Sequence, residues 1–159
     1  MYSPFWFWKS SIPENICDQI IDSSEKIEYE KGSTPNGEED RKVDIKFLYE
    51  EFNWINSLIY GYGVFANCKN FKYQLSKCDI EVVQLSRYRV GQFYGRHLDF
   101  SCDENSIPHT RKLSMSVQLS DEKSYDGGDL ILYYGGKYYD TPRTKGTVIV
   151  LSLIHISEP

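Results

Sequence analysis

Arg111-Lys112-Leu113-Ser114-Met115-Ser116-Val117-Gln118-Leu119 is the stretch that decides the fold class. Leu113, Met115, Val117 and Leu119 alternate with Lys112, Ser114, Ser116 and Gln118. Successive strand residues point to opposite faces, so period two makes a sheet with one apolar and one polar side. The apolar side needs a partner, and the polar side faces either solvent or a pocket between two sheets. Asp79 to Tyr88 reads the same way, with Val83 and Leu85 against Gln84, Ser86 and Tyr88. Phe93 to Phe100, Leu130 to Tyr134 and Thr147 to Leu151 are further short strands. They are punctuated by Val90-Gly91-Gln92, the Cys102 to His109 loop, Asp126-Gly127-Gly128 and Gly135-Gly136. Short strands between glycine turns predict an antiparallel sandwich or jelly roll.

The residues before this β-rich half read differently. Ser11-Ile12-Pro13-Glu14 is a helix start: Ser11 or a neighbour suits the cap, Pro13 the first turn, and Glu14 the positive end of the helix dipole. Ile16, Ile20 and Ile21 then carry a helix to about Lys26. Glu30 to Asp40, with Gly32, Pro35, Asn36 and Gly37, reads as an exposed loop. Val43, Ile45 and Phe47 predict a short strand, and Phe52, Ile55, Leu58 and Ile59 a second helix. The expected architecture is α+β, with N-terminal helices packed on the apolar face of the β-core. The helical part is expected over 1–77 and the core over 78–151.

The bulk properties set limits. A chain of 159 residues suits one domain with one core. With 40% hydrophobic and 15% aromatic residues it is not a disordered tail. Eighteen Lys and Arg against 23 Asp and Glu give a net charge of -5, which argues against a dedicated nucleic-acid binder. No run is long and apolar enough to span a bilayer, and Met1 to Lys9 lacks the regions of a signal peptide, so a cytoplasmic setting without a membrane partner is expected. Cys17, Cys68, Cys78 and Cys102 have no CxxC or zinc spacing and are expected to be free thiols.

The chemistry centres on His97-Leu98-Asp99. On a strand, positions i and i+2 project to one side, so an imidazole and a carboxylate converge. Both are good ligands for Fe(II), and a second histidine completes a two-His-one-carboxylate triad with open positions. Taken alone, HxD is a weak signal that often arises by chance, and a surface ion pair or a satisfied histidine is its commoner meaning.

Its surroundings narrow the reading. Tyr88-Arg89-Val90-Gly91-Gln92-Phe93-Tyr94-Gly95-Arg96-His97-Leu98-Asp99 resembles the iron-binding segment of Fe(II)/2-oxoglutarate-dependent dioxygenases, in particular their prolyl-4-hydroxylase-like branch. Arg111 to Ser120 is similar to the following core strand, and Tyr125-Asp126-Gly127-Gly128-Asp129-Leu130 to the family's GG[DE]L turn. Thr144-Lys145-Gly146-Thr147-Val148-Ile149-Val150 is similar to the strand leading to the distal histidine. The pieces occur in family order from about Asp79 to Val150.

The resemblance implies a double-stranded β-helix (jelly roll) with Fe(II) between its sheets, held by His97 and Asp99. It implies 2-oxoglutarate as co-substrate, contacted by Tyr88 and by Gln118, with ascorbate as an optional reductant. Dioxygen is the other co-substrate. The implied reaction is hydroxylation of a C–H bond, first among candidates a peptidyl prolyl or similar side chain, with release of succinate and CO2. A small molecule or nucleobase is the other substrate class. A non-catalytic jelly-roll binding or structural domain, such as a virion component, is the alternative outside enzymology. Arg87, Arg89, Arg96 and the loop from Phe100 to Thr110 are expected to border the entrance.

The pattern breaks at the end. The family's Phe-Pro-Ser run is missing after Val150, and His155, the best third ligand, falls closer to Gly146 than the family spacing. His109, in a Ser-Ile-Pro-His loop, is the other histidine. No Arg or Lys follows His155 to clamp the far carboxylate of 2-oxoglutarate, and Lys112 is the candidate substitute. Residues 152–159 also resemble a translated sequencing-adapter read. They are expected to be a non-native tail on a core whose last strands are missing, a truncation that by itself would leave the chain weak in iron binding or inactive.

Overall fold

The computed structural model describes residues 3–32, 34, 39–75, 81–97, 99 and 111–153. In chain order the elements are β1 (Phe5–Trp8), α1 (Glu14–Ser23), β2 (Glu30–Gly32), β3 (Arg41–Leu48), α2 (Asn53–Ala66), β4 (Val83–Arg87), β5 (Phe93–Tyr94), β6 (Leu113–Val117), β7 (Ile131–Tyr134), β8 (Lys137–Asp140) and β9 (Val148–Ser152). A 3-10 turn, Glu50–Phe52, leads into α2, and a π-turn, Asn67–Phe71, closes it. Every strand pairing is antiparallel. One sheet has the order β1-β9-β6, a second β2-β3-β4 with β5 also on β3, and β7 and β8 form a hairpin.

The alternation in β6 does what its sequence demands. Leu113, Met115, Val117 and Leu119 pack on a core of Ile12, Cys17, Ala66, Phe71, Val148 and Val150. The apolar face therefore lies on the helices, and Ser114 and Ser116 take the opposite face. β9 is central: Val148, Ile149 and Val150 are fully buried, and such burial stabilises by about 1.5–3 kcal/mol per side chain. In α2, Gly63 lets the sheet approach, since a Cβ there would stand 3.1 Å from the Met115 sulfur. The second sheet meets the same helices through Leu48 and Val83, packed with Ile20, Phe52 and Ile55.

Several elements depart from the sequence expectation. The aromatic Phe5–Trp8 segment is an edge strand on β9. Trp6 and Trp8 turn to the helices, and Trp8 meets Tyr62 edge-on at 5.4 Å. Phe5, on the other face, meets Tyr139 of β8 at 5.3 Å. The β7–β8 hairpin thus lies on the side of the sheet away from the helices. The start of the predicted Glu30–Asp40 loop is strand β2, because Gly32 sits where a Cβ would collide with Val43 at 2.6 Å. Helix α1 stops at Ser23 rather than near Lys26; the Ser24 hydroxyl and amide both turn back onto Ile21 O. No side chain caps its start, where Pro13 holds the cap position. Instead Ser11 N and Ile12 N both donate to Gly146 O at 3.0 Å, docking the helix entrance on the turn before β9. Cys17 and Cys68 are free thiols, as expected; Cys78 and Cys102 lie outside the described residues. No helix among the described residues is long and apolar enough to cross a membrane.

Candidate metal centre

His97 and Asp99 lie beyond the end of β5, outside any strand, rather than on the long strand expected over Phe93 to Phe100. The two side chains nevertheless converge: His97 Nε2 is 3.0 Å from Asp99 Oδ1. The segment's placement explains this. β5 is two residues long and pairs Tyr94 with Arg41 and Phe93 with Lys42. Gly95 N then donates to Asp40 O at 2.8 Å, where a Cβ would stand 3.1 Å from that same oxygen. The chain is turned at Gly95 by this close approach to β3, and the HxD residues are carried out beyond the sheet edge.

The imidazole is fixed on two further sides. Its Nδ1 lies 2.8 Å from Gly95 O. A carbonyl only accepts, so Nδ1 carries the hydrogen. The Tyr94 ring stacks on it at 3.5 Å with an interplanar angle of 10°, and Arg41 stacks on Tyr94 in turn, 4.5 Å from the ring centroid. On the other ligand, Arg111 reaches the Asp99 carbonyl at 3.4 Å while pairing with Glu81 through Nε at 3.1 Å and through a second, closer contact. Burial pushes the Tyr94 phenol above its ordinary value, against the pull of Arg41 and together with the push of Asp99.

This geometry provides a test of metal fit. With a hydrogen on Nδ1, the Nε2 lone pair of His97 is the one able to serve a cation beside the Asp99 carboxylate. Two electron pairs 3.0 Å apart repel unless a positive centre, a proton or a metal ion, lies between them. Adjacent octahedral ligands, each about 2.1 Å from an ion, stand about 3 Å apart. The pair therefore fits two neighbouring positions on Fe(II). Among the described residues no third His, Cys, Asp or Glu joins them; His155 and His109 both lie outside those residues.

Residues 83–157 match the family model described as the 2OG-Fe(II) oxygenase superfamily. The match covers just under half of the chain. The matched segment contains β4 to β9 and the HxD pair, and the description of the superfamily names Fe(II) and 2OG. A PKHD-type hydroxylase of Synechococcus sp. (strain CC9605) is 35% identical over 78 residues, covering 47% of this chain and 34% of the relative. The chain thus spans about a third of that curated relative's length. A prolyl-4-hydroxylase from Pseudomonas putida has the same fold, with a TM-score of 0.70 at 17% identity over 94% of this chain and 81% of its own. The viral collagen prolyl hydroxylase of Paramecium Bursaria Chlorella virus-1, solved as a 2OG complex, gives a TM-score of 0.64 at 20% identity over 94% and 78%. The recognition of a prolyl-4-hydroxylase-like oxygenase from the sequence agrees with these findings.

The remaining sequence candidates are scattered around this centre. Tyr88 follows β4 and is about half exposed, while burial around its phenol pushes it above its ordinary value against Arg41. Gln118 follows β6, half-buried, its main chain clamped between Thr147 O and Gly146 N at 2.9 and 2.8 Å. Lys112 does not stand free as a clamp, since its ammonium donates to Gln74 O at 2.7 Å. Arg87 and Arg89 both pair with Asp44, at 3.0 and 3.1 Å. Gln92 donates to the same carboxylate at 3.1 Å while its own oxygen accepts from Arg89 N at 2.6 Å. These contacts lock the β4–β5 turn that leads to His97. The loop 100–110 lies outside the described residues. Sequence reading missed Arg41 and the pinning role of Arg111. Arg41 meets the site through pairing across 53 positions of chain (94 minus 41), for which sequence carries no local signal.

Proposed function

We propose that this chain carries the core of an Fe(II)- and 2-oxoglutarate-dependent hydroxylase acting on a peptidyl prolyl or similar side chain. The observation that carries the reading is the His97–Asp99 pair, set 3.0 Å apart with the imidazole hydrogen committed to Gly95 O. The match of residues 83–157 to the oxygenase superfamily model supports the chemistry. The prolyl hydroxylases that share the fold support the substrate class.

Bound Fe(II) with 2-oxoglutarate supplies the oxidising power for C–H hydroxylation, with succinate and CO2 as by-products. The chain's own residues prepare the ground for it. His97 offers Nε2, and Gly95 O holds the tautomer that leaves this nitrogen free of hydrogen. Asp99 offers its carboxylate, which offsets part of a dication's charge, and Arg111 fixes its backbone. The Tyr94 stack prevents the imidazole from turning away. His155 is the proposed third ligand. Tyr88 and Gln118 are proposed to face 2-oxoglutarate: the raised phenol keeps its hydrogen and so donates to a carboxylate oxygen.

Two assays test this on the chain as it stands. Mn(II) titration followed by tryptophan fluorescence should show binding that His97→Ala and Asp99→Ala each weaken at least about tenfold. Succinate formation from 2-oxoglutarate should require Fe(II) and vanish in both variants. Binding or turnover that survives both substitutions overturns the metal assignment. Metal binding without succinate, with any peptide or small molecule, favours the non-catalytic jelly-roll reading.

A further inference from the structure

The face of the β7–β8 hairpin turned away from Phe5 is unusually apolar for surface. The register pairs Tyr133 with Tyr138 and Ile131 with Asp140, placing these four on one face, while Leu132 and Tyr139 take the other. Ile131, Tyr133 and Tyr138 are 52%, 41% and 68% exposed. The two tyrosine rings lean together at 4.9 Å. Tyr139 anchors the far face on Phe5, so the platform has a fixed support. Among the described residues each hairpin strand pairs only with the other.

Arg96 joins this platform to the candidate metal centre. It immediately precedes His97, and its guanidinium lies on the Tyr133 ring, 4.0 Å from the centroid. Its pairing differs from that of four other arginines. Arg87, Arg89, Arg111 and Arg143 each reach a carboxylate. Arg96 has no such partner among the described residues, although the chain as a whole carries a net charge of -5. An exposed guanidinium held flat on an aromatic ring keeps its N–H fork available for a carboxylate.

We propose that Arg96, Tyr133 and Tyr138 form a specificity subsite for an extended peptide with an acidic residue close to the hydroxylated one. The inference deepens the hydroxylase reading and rests on it. Tyrosine rings take the apolar stem of the peptide, and Arg96 takes the carboxylate. An extended peptide advances about 3.3 Å per residue. Because Arg96 directly precedes His97 in the chain, the acid is expected within a few positions of the target residue.

The probe is a short fluorescein-labelled peptide containing one proline, with aspartate two, three or four positions away, and its asparagine counterpart. Binding is read by anisotropy with Mn(II) and 2-oxoglutarate present. At least one aspartate peptide should bind about five- to tenfold tighter than its asparagine twin, a preference that shrinks as salt rises. Arg96→Ala should abolish the preference and Arg96→Lys should keep part of it. Tyr138→Ala should weaken both peptides alike, with the circular dichroism spectrum unchanged. Equal binding of the two peptides, or a preference that survives Arg96→Ala, overturns the subsite. So does tighter binding of an oligonucleotide than of any peptide, or loss of the platform into a dimer interface in sedimentation. Succinate release separates the two readings: an aspartate preference without succinate sinks the hydroxylase and spares the subsite, while turnover without that preference does the reverse.

Discussion

Gly146→Ala should be among the most damaging single-methyl changes in the molecule. Gly146 has φ +78°, and a Cβ built there stands 2.0 Å from Ile12 O, a backbone atom of a residue 1% exposed. The left-handed conformation costs a non-glycine residue about 1–2 kcal/mol. Relieving the overlap means moving the α1 entrance by more than about 1 Å, which breaks the bonds from Ser11 N and Ile12 N to Gly146 O. Each contributes about 0.5–1.5 kcal/mol net, so the total loss is about 2–5 kcal/mol. For a chain of this size that lowers Tm by about 4–20 °C. Gly135→Ala is the matched control: its φ is +57° and a Cβ there meets nothing within 4 Å. It should cost only the conformational share, about 1–2 kcal/mol. Thermal and urea unfolding of the two variants side by side isolate the steric part. Equal losses would refute the reasoning, since the docking of helix α1 on the β9 turn would then contribute nothing.

Other substitutions probe different parts. Gly63→Ala should be nearly neutral, because about 1 kcal/mol of helix propensity offsets a shift of the flexible Met115 end; Gly63→Val should cost about 1–3 kcal/mol in urea unfolding. Asp44 is held below its ordinary 3.8, first by the hydrogen bonds from Gln92 and Arg87 and then by the charges of Arg89 and Arg87. A depressed carboxylate stabilises fully above its unfolded value and loses that contribution as pH falls through its folded one. Asp44→Asn should therefore flatten the stability profile below about pH 4, and an unchanged acid limb would count against the network. Tyr88→Phe should raise the 2-oxoglutarate concentration for half-maximal succinate release about three- to tenfold with little change in the saturated rate; an unaltered KM would remove Tyr88 from the co-substrate site.

The sequence by itself determined the α+β class, the apolar faces of β6 and the helices, and the HxD pair. These depend on period and on residue type, which are local properties. It also placed the candidate metal donors two positions apart, close enough to meet outside a strand as well as on the expected one. Tertiary structure decided what depends on distant partners. Phe5–Trp8 is a strand only because β9 offers an open edge, and its two faces divide between the helices and Tyr139. Arg41 reaches Tyr94 only through the β3–β5 pairing, and Arg111 reaches Asp99 and Glu81 only once three separate segments converge. Lys112 and Arg96 look alike as exposed cations in the sequence. Folding commits one to a backbone carbonyl and leaves the other on an aromatic ring beside the candidate metal centre. A side chain's type limits which contacts it can make, but the path of the whole chain selects among them.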